Sequence, residues 1–516
     1  MLNRRDFLKL ASVLSAGAAF QNVSRFANSL PPSQDKKPNI LILVFDAMSA
    51  RHLSLYNYER NTVPNLEKFA GRSFVYHSHF SAGNFTTPGV ASLLTGLNPW
   101  THRALHLRGL VRRSLVGNNL FNLVGDEYTR IGFTQNQLAE VILSQFDDHL
   151  DIHLAPDSFS FNVRPLLQAQ DFERDRTIAY FAFENFLGMN SDLHSTPGSL
   201  ALGSAEIIHN LVSKEPGTSE SYPFLGYPNN LAFFYRNEDV FRGMAEQIKE
   251  VNDRLHPWLA YFHVWSPHGP YRPRKEFTNS FDDRLRIPFR PIHKLAENKY
   301  SRKRLLEFRL RYDQYIANVD AEFGNMMMEL ESAGILDDAY VIVTSDHGEL
   351  FERGEWGHGT PLLYQAVTHV PLVISTPGQR IRKDIYTPTS SLDLLPTISK
   401  MADKKIPDWA EGKLLPGFSE TEDTIRSIHS FVAKNNSAFQ KINEATISMI
   451  KWPYELIYYF GYSKYPNSFE LYNLAEDQFE KNNLIELDQV VASGMQEELL
   501  DLIESVNVPL DGMINN

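Results

Sequence analysis

Val341-Ile342-Val343-Thr344-Ser345-Asp346-His347-Gly348-Glu349 is an apolar run that stops at a carboxylate, an imidazole and a glycine. A short, continuous apolar stretch bounded by turn residues reads as a strand buried on both faces, as in a parallel sheet. Its end places Asp346 and His347 at the rim of that sheet, where both reach a cation, and Gly348 lets the backbone turn sharply behind them. Taken alone, the same four residues are an ordinary Asp-initiated turn. Their meaning depends on what other runs do.

Four other runs follow the same pattern. Residues 40–45 end at Asp46, and 258–264 lead into Ser266-Pro267-His268. Residues 371–374 end at Ser375, and the weaker run 128–133 ends at Thr134-Gln135. All read as buried parallel strands. Between them, 303–333 carry Tyr312, Ile316, Val319, Phe323, Met327 and Leu330 at helical spacing, with Gly334 as the stop. Strands alternating with helices predict an α/β fold, a doubly wound sheet flanked by helices. Ligands of such sheets collect beyond the carboxyl ends of the strands, where Asp46, His268, Asp346 and His347 all fall.

The rest of the chain is less periodic. Residues 140–240, rich in aromatics, Asn and Pro, read as a loop-and-helix insertion covering the site. Residues 416–440 read as a polar connection. Residues 441–516 read as a small sheet-plus-helix subdomain. It has a β-prone stretch at 455–460, then Val491, Met495, Leu499, Leu502 and Val506 on one helix face.

The N-terminus, with Arg4, Arg5, Phe7, Leu8 and Lys9 before a mildly apolar run to Phe20, fits a secretory signal over residues 1–30. Arg-Arg-x-Phe-Leu-Lys resembles the twin-arginine export motif, which predicts a periplasmic or extracellular protein. The run is too short for a lasting transmembrane anchor. The chain has 516 residues, a net charge of −12 and no cysteine. That charge disfavours nucleic acid as a partner, and no disulfide framework exists. Oligomeric state is not encoded in any pattern we recognise.

A second stretch carries the chemistry: residues 86–96, Thr-Thr-Pro-Gly-Val-Ala-Ser-Leu-Leu-Thr-Gly. Pro88 suits a first helical turn and Gly96 its end, so Thr86 lies at a helix N-terminus. The dipole there favours a substrate oxyanion or an ionised hydroxyl. The plainer reading is an N-cap.

These segments together resemble the sulfatase family of the alkaline phosphatase superfamily. The stretch at 86–96 is similar to its nucleophile signature, 37–46 to its opening, and Pro267-His268-Gly269-Pro270-Tyr271 to its Pro-His-x-Pro-Tyr segment. Residues 331–338, 344–349, 357–364, 369–372, 406–413 and 470–474 continue the likeness. The resemblance implies a sulfatase-like catalytic domain over 37–415. It further implies that Asp46, Thr86, Asp346 and His347 coordinate one divalent metal. Three oxygen ligands and one imidazole suit Mn, Mg or Zn better than Ca. By the same resemblance, His268 binds a substrate oxygen or protonates the leaving group. His358 stands where sulfatases often carry a substrate-binding Lys.

The chain departs from the family at four places. Thr86 stands where sulfatases carry the Cys or Ser that becomes formylglycine, Val90 where they carry a supporting Arg, and Ala47 where a second metal-binding Asp often follows. Gly132-Phe133-Thr134-Gln135-Asn136 replaces a Gly-Lys-Trp-His segment. These departures remove the formylglycine apparatus and two cations. The expectation is therefore an exported hydrolase or transferase that uses a Thr86 nucleophile. By resemblance to the phosphoryl-transferring branches of that superfamily, such as phosphonate monoester hydrolases and lipoteichoic acid synthases, the expected substrates are phosphate monoesters, diesters or phosphonates on a small molecule, lipid or glycan. The alternatives are a sulfuric ester hydrolase working with unmodified Thr86 and an inactive binding protein that kept the fold.

Overall fold

A computed structural model describes residues 37–160, 179, 197–212, 218–223, 226–229, 233–252, 256–281, 285, 287–419, 423 and 425–514. Much of the expected insertion and the whole expected export signal lie outside the described residues.

Eight strands form the central sheet: β1 (Asn39–Phe45), β2 (Phe74–Tyr76), β3 (Thr129–Thr134), β4 (Ile152–Leu154), β5 (Trp258–Val264), β6 (Ala339–Ser345), β7 (Leu372–Ser375) and β8 (Lys383–Ile385), in the spatial order β8-β2-β7-β6-β1-β5-β3-β4. The sheet is mixed. β7 runs antiparallel to both β6 and β2, and every other pairing is parallel. The run at 371–374 is thus a strand, but an antiparallel one. A short apolar strand reads the same in both directions, so periodicity alone could not orient it.

Strand alternation sends β1 side chains to two cores. Leu41, Leu43 and Phe45 join one, Ile40, Ile42 and Val44 the other. Against the first face pack α4 (Asn237–Asn252) and α5 (Arg302–Ser332), the latter through the predicted stripe from Tyr312 to Leu330. Burying each such apolar side chain is worth about 1.5–3 kcal/mol. Ser301 caps the start of α5, and Gly334 at φ 70° follows its end. Against the second face pack α1 (Thr86–Thr95), α3 (Gln137–Ser144) and α6 (Leu394–Met401).

A short helix, α2 (Pro99–His102), pins the far end of α1. His102 Nδ1 accepts the Ala104 amide at 3.0 Å, and Nε2 lies 3.0 Å from Ser92 Oγ. Burial pulls the His102 pKa from 6.5 to about 3. Below pH 6.5 the unfolded chain binds a proton that the native imidazole refuses. This contribution is therefore intact above pH 6.5 and is lost as pH falls toward 3, by about 1.4 kcal/mol per pH unit. Replacing His102→Gln removes the titration. In urea unfolding, the stability gap between wild type and variant narrows by about 2 kcal/mol between pH 8 and pH 5. A constant gap would refute the assignment.

The C-terminal sheet is antiparallel, in the order β9 (Ile428–Val432), β10 (Ala445–Lys451), β11 (Tyr454–Phe460), β12 (Ser468–Asn473). β9 falls inside the stretch expected to be a polar connection. On one face Met449, Leu456 and Leu471 meet Met495, Leu499, Leu502 and Val506 of α7 (Gln489–Ile514). On the other, Ile457, Tyr459 and Tyr472 meet Leu362, Tyr364 and Val367 of the central body. No helix among the described residues is long and apolar enough to cross a membrane.

Candidate active site

The carboxyl ends of β1, β3, β5 and β6 converge under the N-terminus of α1. Phe85 precedes that helix at φ 57°, a conformation few non-glycine residues adopt, and no side chain caps the helix start. Asn84 anchors the turn. It accepts the Phe85 amide at 2.9 Å and donates to the carbonyls of His358 and Thr360 at 2.7 and 2.9 Å. Four residues into the helix, Gly89 lies so close to the end of β6 that an added Cβ would stand 2.6 Å from the Asp346 carbonyl oxygen. Only glycine permits that approach.

Thr86 is buried. Its Oγ1 lies 3.2 Å from Asn136 Nδ2, which donates to it, and 3.4 Å from His347 Nε2. The same Asn136 amide donates to Asp46 Oδ2 at 2.5 Å. Asp346 Oδ1 accepts the amides of Ala47 and His347 at 3.2 and 3.0 Å. His347 Nδ1 donates to the Gly348 carbonyl at 2.9 Å, leaving the Nε2 lone pair directed inward, 3.6 Å from Asp46 Oδ1 and 3.4 Å from Asp346 Oδ2. Asp46, Thr86, Asp346 and His347 thus share one small space.

Two further groups enter it that the sequence analysis did not single out. Asn136 is one. The other is His263 of β5, fully buried on the sheet face it shares with Tyr261 and Leu259. Its Nδ1 pairs with Thr134 Oγ1 at 3.0 Å, and its Nε2 lies 3.7 Å from Asp46 Oδ2 and 3.6 Å from Asp346 Oδ2. A histidine inside an otherwise apolar strand was the available signal.

Asp46 Oδ1, Asp346 Oδ2 and His263 Nε2 are buried atoms without hydrogen-bond partners, and ligand atoms of these three residues all lie within 4.8 Å of one another. Unpaired buried polar atoms are costly, and here they aim at one point. Burial, then the opposing carboxylate of Asp346, holds Asp46 well above the usual carboxylate range. Burial likewise raises Asp346. Burial pushes His263 down to about 4 and His347 well below its ordinary value, so both imidazoles are neutral. Two carboxylates that repel each other beside two unprotonated imidazoles are the donor set a divalent cation reverses to advantage. The residues fit a metal.

His268 and His358 form a second tier. Their rings are 4.8 Å apart, and His358 lies 4.2 Å from His347. His268 Nδ1 donates to the Gly269 carbonyl at 2.6 Å. His358 Nδ1 lies 3.0 Å from Glu349 Oε1, and Tyr271 OH donates to Glu349 Oε2 at 3.0 Å. Burial lifts Glu349 to about 7 and lowers His268 and His358 to about 3 and 4.

The family model described as Sulfatase matches residues 38–404. A choline-sulfatase of Rhizobium meliloti (strain 1021) is 23% identical over 425 residues, 78% of this chain and 75% of that protein. Among solved structures, a phosphonate monoester hydrolase from Silicibacter pomeroyi superposes with a TM-score of 0.63 at 18% identity, covering 90% of this chain and 95% of that one. A 2-O GAG sulfatase superposes with a TM-score of 0.61 at 13% identity, covering 91% and 93%.

Proposed function

This chain belongs to the sulfatase family and is an ester hydrolase of that superfamily, and on that premise we propose that it transfers phosphoryl or phosphonyl groups from small esters through Thr86. The observation that carries this reading is the buried Thr86 hydroxyl, placed between Asn136 and His347 at a helix N-terminus. A threonine cannot become formylglycine, and the chain has no cysteine.

Asp46, Asp346, His347 and Thr86, joined by His263, would hold one divalent metal. Two imidazoles with two carboxylates favour Zn or Mn over Mg, and Ca least. When bound, that metal would lower the pKa of the Thr86 hydroxyl and polarise the substrate. Asn136 orients the Thr86 oxygen for attack and holds Asp46 in place. Thr86 Oγ1, ionised by losing its proton to solvent, then forms a bond to phosphorus as the alkoxide departs from the opposite side with the P–O electron pair and takes a proton from water. The dipole at the start of α1 favours the developing charge. With its Nδ1 proton committed to Gly269, His268 turns an acceptor nitrogen to the pocket, and Glu349 aligns His358 beside it. Water, or an acceptor alcohol, finally releases the Thr86 ester. The Arg4-Arg5 segment supports export of the enzyme.

Sulfate esters are the second reading, favoured by the choline-sulfatase relative. A parallel screen of nitrophenyl phosphonate, bis-nitrophenyl phosphate, nitrophenyl phosphate and nitrophenyl sulfate with Zn, Mn, Mg or Ca decides between them. One of the phosphorus esters is turned over at least about tenfold faster than the sulfate, with Zn or Mn. Turnover of nitrophenyl sulfate alone would replace our reading with the second.

A further inference from the structure

Beyond the far end of α1 stands a charged side chain that the reaction centre does not use. Arg103 follows α2 with φ 67° and ψ 12°, in the left-handed region that disfavours side chains bearing a Cβ. It is only 1% exposed. Its Nη1 is sealed from solvent and has no hydrogen-bond partner. Guanidinium stays protonated in proteins, and a buried charge is costly unless paired. Burial, then the like charge of Arg112, disfavours its cationic form. A position with both backbone strain and an uncompensated charge is one where something else supplies the compensation.

The surroundings indicate what that is. Arg103 lines a cleft of about 410 Å³ together with Arg112, Ser114 and Trp100, and with Leu502 and Ser505 of α7. None of the described residues lining it is acidic. In a chain whose net charge is −12, the Arg103 guanidinium beside a cleft with no acid among its described lining residues makes a local field of the opposite sign. Thr86 opens α1 and Arg103 lies past its other end, roughly 15 Å of helix away, so this cleft is a different place from the reaction centre.

We propose that this cleft is an oxyanion-binding site that takes a tetrahedral phosphate- or sulfate-type group, with Arg103 as its anchor. The guanidinium fork matches two oxygens of such a group, and the anion supplies the counter-charge that the fold withholds. The ion is either free, as the inorganic product of ester hydrolysis would be, or carried on a larger molecule whose body meets Trp100 and Leu502. The chemistry at Arg103 is the same in both cases.

The test compares metal-loaded Thr86→Ala protein with and without Arg103→Gly, by isothermal titration with sodium phosphate and sodium sulfate at constant ionic strength. Arg103 protein binds one anion equivalent more than the Arg103→Gly protein. In anion-poor buffer, Arg103→Gly melts higher, because glycine relieves the backbone and removes the unpaired charge, and phosphate raises its melting temperature less. Arg103→Lys retains a charge without the fork and binds phosphate at least fivefold more weakly than Arg103. Equal stoichiometry and equal melting behaviour with and without Arg103 would overturn the proposal. Because the readout is the difference of one equivalent, a reaction centre that binds no phosphate leaves the comparison intact. Glycerol 3-phosphate, run in parallel, separates the sources: tighter binding than inorganic phosphate marks an esterified group, equal binding the free ion, and either supports the site.

Discussion

Thr86→Ala loses at least about three orders of magnitude in kcat/KM toward phosphonate or phosphate esters, while its melting temperature stays close to wild type. The two halves of this expectation have different causes. Removing Oγ1 leaves no atom to form the bond to phosphorus, and water would have to enter a fully formed pocket in its place. The fold tolerates the change because position 86 is the first residue of α1, where alanine is well accepted, and because the helix start has no side-chain cap to lose. The freed Asn136 amide keeps its bond to Asp46. Thr86→Ser retains the hydroxyl and keeps a large part of the activity. Near-normal turnover by Thr86→Ala would mean that the nucleophile is elsewhere, and the mechanism proposed above would fall.

The second large effect is on metal retention. His263→Ala lowers affinity for Zn or Mn by about 100-fold, measured as metal content after dialysis against graded chelator. In the cobalt-substituted protein, the visible spectrum changes with the loss of one nitrogen donor. His263 Nε2 has no protein partner and faces the free oxygens of Asp46 and Asp346. If the imidazole served packing alone, His263→Leu would bury more apolar surface, remove an unsatisfied nitrogen and stabilise the protein without touching metal content. That outcome would return the site to four donors. Affinity also rises with pH, because Asp46 is held well above the usual carboxylate range and must lose its proton to serve as a ligand.

What could be read in advance, and what could not, follows from these residues. Asp46, Asp346 and His347 were visible because each abruptly ends an apolar run, and sheet physics puts such ends together. Thr86 was visible because Pro88 and Gly96 bracket a helix. His263 was not, because a polar residue within a strand shows its meaning only when register assigns it a face, and here that face is shared with Val44 and lies beneath α1. Asn136 was noticed only as what replaced two cations, yet it touches both Thr86 and Asp46. β9 hid in a polar stretch because Ile428–Val432 is only five residues long and its apolar pattern is interrupted by His429 and Ser430. Arg103 gave no signal at all, since a left-handed backbone at a non-glycine residue leaves no mark in the sequence.

The contact between Gly89 and the end of β6 has one more consequence. Thr86 and His347 are separated by 261 positions along the chain, and they meet only when α1 settles flush on β6. No shorter translation product that stops before residue 347 contains both halves of the machinery. Appearance of turnover during refolding is therefore a clock for long-range closure of the whole protein. Two separately expressed pieces, cut between these residues, would regain turnover only by reassembling across that single seam.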